Sequence, residues 1–258
     1  MFRRQWALAV MTMVFSQAVP AATCEVDEYV TRAIGIEEPW LENAAYLFSQ
    51  TANQAGGAWV LAPEMDLRLS DRVGLEIDPP AYVMNYPVGR GPAAFGPAGL
   101  GLKVPVLQRC NQLGRGRATI VTAEVEGQFW PAPQRNAIDG AGSSITAQVE
   151  WAQLWWPWFN QGELGYTQRV GTGVTSGGFV NTSLGRALDA TTAIQVELEL
   201  DDQLIRGDEK RGLEGSVMPQ VAYRPGPQWL LAIGEEFAVR ENDWHPQIST
   251  MLMAEREF

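Results

Sequence analysis

Between residues 59 and 83 the chain alternates with a period of two. Trp59, Leu61, Met65, Leu67 and Leu69 hold the odd positions, with Glu64, Asp66 and Arg68 between them. After Ser70-Asp71-Arg72 the beat resumes, with Val73, Leu75 and Ile77 set against Glu76 and Asp78. Period two sends successive side chains to opposite faces of a strand. The stretch therefore predicts a hairpin that is apolar on one side and charged on the other. In a soluble sandwich the apolar side would need a second sheet over it. In a membrane barrel it would face lipid.

The same beat recurs along the rest of the chain. Strand patterns fall at about residues 44–51, 59–69, 73–84, 99–106, 118–129, 144–155, 163–170, 178–188, 193–200, 213–224, 229–239 and 248–258. Most approach the roughly 9–11 residues that a tilted membrane strand needs. Connections after the second, eighth and tenth are tight, and those after the third, fifth, ninth and eleventh are longer and more polar. The turn at 108–117 breaks the rule. Short turns on one rim and long loops on the other belong to outer-membrane barrels. Beyond the first two dozen residues no run approaches 18 apolar residues, so a membrane reading requires a closed barrel. The expectation is an all-β fold: an antiparallel up-and-down transmembrane β-barrel of about 12 strands, with short periplasmic turns and longer outer loops.

Residues 1–22 read as a signal peptide: Arg3 and Arg4, an apolar stretch from Trp6 to Phe15, then small residues at Val19-Pro20-Ala21-Ala22. Residues 23–42 show no clean period and are expected to form a periplasmic leader, with 43–258 as the barrel. Losing the signal removes two arginines and takes the net charge from -11 to about -13, a field that repels nucleic acid and anionic surfaces. Cys24 and Cys110 are the only cysteines. In an oxidising compartment they form one disulfide or two buried thiols. The strand count puts Cys110 on the rim where Cys24 must lie, so a Cys24–Cys110 bridge is geometrically allowed.

Aromatics collect at strand ends. Trp151, Trp155, Trp156 and Trp158 surround one turn, and Phe129, Trp130 and Trp244 lie toward the opposite rim, as interfacial girdles do. The last residue is Phe258, and Ile248 and Leu252 share its alternation although Arg256 interrupts it. Here the chain resembles bacterial outer-membrane β-barrel proteins. In that class a terminal aromatic is read by the barrel-assembly machinery, which implies that machinery and the outer-membrane bilayer as partners. The layout also resembles transporters of the phenol meta-cleavage pathway type: a signal, a short acidic leader, about twelve strands and Gly-Leu-Gly-Leu-Lys at 99–103. That likeness implies passage of a small molecule and fixes no binding residue.

The polar partners of the apolar rows are expected to line the lumen. The acidic set is Glu64, Asp66, Glu76, Asp78, Glu124, Glu126, Glu150, Glu197, Glu199, Glu214 and Glu236; the basic set is Arg68, Lys103, Arg169, Arg186 and Arg224. Carboxylates two residues apart point the same way and repel unless water, a cation or an arginine lies among them. One reading is a passive channel or transporter for a small polar or cationic solute, since charged rings select ions. The other is a non-conducting scaffold or partner-binding barrel whose interior is laced with charge. Glu235 falls on an apolar row and is the misfit. Enzymatic chemistry is not expected: the only histidine is His245, between Trp244 and Pro246, and there is no Gly-x-Ser-x-Gly. Two cysteines and a distant histidine make no metal site, and no cofactor motif is present.

Overall fold

A computed structural model describes residues 33–52, 58–85, 94–110, 117–129, 143–170, 176–204, 214–240 and 243–258. The signal region and residues 23–32 of the leader lie outside these. The strands are β1 (Ala44–Ala52), β2 (Ala58–Ser70), β3 (Val73–Asp78), β4 (Tyr82–Asn85), β5 (Ala94–Phe95), β6 (Ala98–Cys110), β7 (Arg117–Phe129), β8 (Ser143–Trp155), β9 (Trp158–Val170), β10 (Ser176–Ala187), β11 (Thr192–Leu204), β12 (Glu214–Gly226), β13 (Trp229–Arg240) and β14 (Asp243–Glu257). Each pairs antiparallel with its neighbour, and β1 pairs with both β2 and β14, which closes the barrel. β3 and β4 both pair with β2 and together make one stave. It is broken at Pro79-Pro80, where the proline nitrogens cannot donate to a ladder. The result is a closed twelve-strand barrel, with β5 an extra two-residue strand on β4.

The strand ladders fix which way each side chain points. Leu100, Leu102, Val125, Ile145, Val149, Leu164, Leu184, Val196, Leu198, Ile233 and Leu252 are exposed on the outer wall, the apolar face that lipid requires. Among the described residues no helix is long and apolar enough to cross a membrane. Tight turns join β2–β3, β8–β9, β10–β11 and β12–β13 on one rim, here the inner rim, where residues 43 and 258 also meet: Phe258 N donates to Asn43 O at 3.0 Å. In the β10–β11 turn the Asp189 carboxylate accepts from Thr191 N at 2.7 Å and Thr192 N at 2.8 Å. Those donors hold its pKa below the usual carboxylate range.

Several boundaries differ from the sequence expectation. The loop expected around Trp244-His245-Pro246 is strand, since β14 starts at Asp243. β9 starts at Trp158 rather than Glu163, which puts Glu163 in mid-strand. In β6 the pairing slips between Pro105 and Leu107. Such a bulge inserts one residue and shifts the alternation beyond it.

Aromatic residues mark both rims of the outer wall. Trp158 and Trp229 are exposed at the inner rim, each beneath a guanidinium at 5.5 Å, Arg186 and Arg256 respectively. Phe129 is exposed at the other end. There Trp59, Tyr82 and Phe95 form an edge-to-face chain with centroids 6.4 and 5.7 Å apart. The buried apolar residues lie inside the barrel. Ile120, Leu154, Phe159, Ala193, Ala222, Leu230, Ala232 and Met253 form an apolar layer toward the inner mouth, with Ile34 and Met218 against it.

Candidate functional site

Above the apolar layer the inward rows turn polar. Reading along the ladders, Glu76 faces Gly101, Gly101 faces Glu126, Lys103 faces Glu124, Thr122 faces Glu150 and Glu150 faces Glu163. Lys103 is the centre of this belt. Its side chain is 2% exposed, and its ammonium lies 2.8 Å from Glu76 Oε2, 3.2 Å from Asp66 Oδ2 and 3.3 Å from Glu37 Oε2. A buried ammonium persists only when paired, and here β2, β3 and the leader each supply one carboxylate.

Many of the other carboxylates take amide or hydroxyl donors. Gln148 Nε2 donates to Glu124 at 2.8 Å and to Glu150 at 3.1 Å. Asn181 donates to Glu163 at 2.6 Å, Ser216 to Glu199 at 3.0 Å and Gln50 to Glu236 at 3.2 Å. Gln220 donates to Glu197 and accepts from Gln195 at 2.9 Å. Even so, Glu124 Oε1, Glu126 Oε1, Glu150 Oε2 and Glu197 Oε1 are buried with no hydrogen-bond partner.

Across this belt runs the described part of the leader. Residues 33–42, expected as part of a periplasmic leader, lie within the barrel and are held there by the wall. Ala33 N donates to Gln161 Oε1 at 2.9 Å, Ile34 N to Gln220 Oε1 at 3.1 Å, Gly35 N to Glu197 Oε2 at 3.3 Å and Glu37 N to Glu163 Oε2 at 3.0 Å. On the far side the Thr122 hydroxyl donates to the Pro39 carbonyl. The Tyr46 hydroxyl contacts Glu38 at 3.4 Å and also donates to Glu42. A segment without secondary structure must find partners for its backbone amides elsewhere; the lumen side chains supply them. At Gly35 the approach is so close that an added Cβ would lie 2.5 Å from Glu197 Oε1 and 2.6 Å from Glu199 Oε1, so any side chain there would have to push those carboxylates aside. Burial and the neighbouring Glu38 and Glu255 carboxylates push the Glu42 pKa well above the usual range.

The other expected site residues fall as follows. Glu64, Asp66, Glu76, Asp78, Glu124, Glu126, Glu150, Glu197, Glu199 and Glu236 share the inward parity of their strands. Arg68 is exposed at the inner rim and pairs with Asp71 at 2.5 Å. Arg224, also at that rim, pairs with Glu257 at 3.2 Å. Arg169 is inward by register but exposed at the outer mouth. Arg186 was expected in the lumen and is instead on the outer wall: Ser183, Gly185 and Ala187 take the inward positions of β10, and Arg186 lies over Trp158. The side chain of Glu214 lies outside the described residues. Cys110 is disulfide-bonded; Cys24, the other cysteine in the chain, lies outside the described residues. Glu235 is on the outer wall, where Thr250 Oγ1 donates to it at 2.8 Å.

The sequence reading did not count Gln148, Gln161, Glu163, Gln195, Gln220 and Glu255 among the lining residues, although all are inward and Gln148 and Gln195 fall on its polar rows. Phe159-x-Gln161-x-Glu163 is itself a period-two row, so the signal was present, but its apolar head disguised it as lipid-facing.

No family model matches the chain, and no curated protein matches it. Among solved structures the NanC porin is similar at a TM-score of 0.56, with 7% identity over 83% of this chain and 100% of that chain. The KdgM porin in complex with disordered oligogalacturonate reaches 0.50, with 9% identity over 83% and 99%. At such identities the likeness is one of fold. The chain has the architecture of bacterial outer-membrane porins. The narrower likeness to phenol meta-cleavage transporters finds no counterpart in these comparisons.

Proposed function

We propose that the protein is an outer-membrane channel for small polar or cationic solutes, closed at rest by its own N-terminal segment. The observation that carries this is the mode of attachment of residues 33–37. Their backbone amides are bound by side-chain oxygens of Gln161, Gln220, Glu197 and Glu163. Such bonds exchange readily with water, each being worth roughly 0.5–1.5 kcal/mol net, so the segment is seated by contacts that a solute could replace. The acidic belt sets the sign of the cargo. KdgM was solved with oligogalacturonate; a lumen lined by Glu124, Glu150, Glu163, Glu197 and Glu199 disfavours an acidic saccharide and favours a cation or a neutral polar solute. The bilayer of the outer membrane and the barrel-assembly machinery are the expected partners.

A second reading has its own observation. The apolar layer of Ile120, Leu154, Phe159, Met218 and Leu230 together with Ile34 packs toward the inner mouth as a domain core does, which suits a non-conducting scaffold. Planar-bilayer recording of the whole chain beside a variant lacking residues 33–42 separates the two. Discrete cation-selective steps in the deletion, with rare or small steps in the parent, support the gated channel. Silence in a deletion variant that still shows heat-modifiable migration overturns it and leaves the scaffold.

A further inference from the structure

We propose that the lumen wall around Gly99 and Gly101 is a divalent-cation site with a preference for Ca²⁺, formed by Glu76, Asp78, Glu124 and Glu126. One carboxylate oxygen from each of Glu76, Asp78 and Glu126 lies within 4.8 Å of the others. Ca²⁺ binds oxygens at about 2.3–2.6 Å, so one ion can span oxygens separated by up to about twice that distance. The cluster alone would be an ordinary acidic patch; Glu124 sets it apart. Its side chain is 2% exposed, and its Oε1 is buried without a hydrogen-bond partner. That oxygen lies against the open side of Gly101, where an added Cβ would collide with it and would sit 3.1 Å from Glu76 Cβ. Gly101 is the residue that faces both Glu76 and Glu126 on the adjoining strands. The orphaned oxygen is thus directed at the gap between two members of the cluster. Glu126 Oε1 is likewise buried without a partner.

The glycines give the site its room. On β6 the inward positions opposite Asp78 and Glu76 are Gly99 and Gly101, and a side chain at either would occupy the space between the carboxylates. Lys103, one inward step away, pairs with Glu76 at 2.8 Å but divides its single charge with Asp66 and Glu37, so it offsets only part of the charge of the four carboxylates. The donors are all carboxylate oxygens, with no imidazole or thiolate, which suits Ca²⁺ and does not suit Zn²⁺ or Cu²⁺. The site stands whether or not the barrel conducts.

Calcium chloride titrated calorimetrically into the whole refolded chain, in lipopolysaccharide-free detergent after chelator treatment and at 150 mM KCl, tests this. The expected result is one saturable site and a thermal midpoint that rises with Ca²⁺. Glu126→Gln and Asp78→Asn should each weaken binding at least tenfold. Because each also removes a repelling charge, each should raise the midpoint measured in chelator. Absence of binding to the parent chain, or binding that survives both substitutions, overturns the proposal. Should a variant fail to fold, the parent titration decides by itself.

Discussion

Two layers of the same lumen, a few residues apart along the strands, are built on opposite principles. Near the inner mouth Ile120, Leu154, Phe159 and Leu230 pack as the core of a soluble domain would. One or two inward steps further, Glu150, Glu163 and Glu197 are equally buried but are held by amides, by one another's neighbours and by the leader. The apolar layer gains from being dry, at roughly 25 cal/mol per Å² removed from water. The acidic layer gains nothing from dryness and depends on every donor placed within it. The first is a dry apolar layer, and the second is a polar lining whose burial depends on its donors.

Lys103→Met should expose this dependence most strongly. Three carboxylates would lose their shared cation, and breaking one side of a buried ion pair costs about 3–5 kcal/mol, read as a lower urea midpoint for unfolding from detergent. Phe159→Ala tests the other layer. Its ring covers Gly185, and truncation should cost about 3 kcal/mol, with a loss that does not change with salt concentration, unlike that of Lys103→Met. Gly35→Val should cost about 1–3 kcal/mol through overpacking against Glu197 and Glu199. It should also unseat the segment, so bilayer recordings should show more frequent opening; an unchanged record would argue that residues 33–37 do not occlude the path.

Glu42 gives a pH signature. Its folded pKa is raised by burial and by Glu38, so the native state holds a proton that the unfolded chain releases at the ordinary carboxylate pKa. Stability is therefore complete below that ordinary value and declines as pH rises from it through the raised one. Glu42→Gln should flatten the decline in an unfolding series across that window. The smallest effect is expected on the outer wall. Glu235→Gln removes a charge from the lipid face while leaving an acceptor for Thr250, and should stabilise the barrel by about 1 kcal/mol.

How far the sequence could be read follows the same division. The barrel was legible because its outer wall is a long period-two record: Leu100, Leu102, Val125 and Val149 can only be lipid-facing if Lys103, Glu124 and Glu150 are inward. The apolar layer was not legible, because Leu154 and Phe159 are apolar on the inward side and blur the contrast on which the pattern depends. Arg186 was misplaced for a related reason. Its neighbours Gly185 and Ala187 are too small to declare a face, and an arginine at the rim can lie outward over Trp158. The course of residues 33–42 was out of reach altogether. A segment with no ladder of its own carries no period, and its position is fixed by Gln161, Glu163, Glu197 and Gln220, which lie far along the chain.

The closing pair, Ala44 opposite Glu257, has a consequence for how the molecule is made. The first strand to leave the leader meets the last strand of the chain, and the amide of Ile34 is bonded to a residue 186 positions away. Contacts of such sequence separation form late and together, since the chain must surrender its freedom before any of them is rewarded. No partial sheet holds a lumen, so neither the apolar layer nor the acidic lining can be assembled by instalments. Residues 33–42 reach their partners only as the wall curls shut around them.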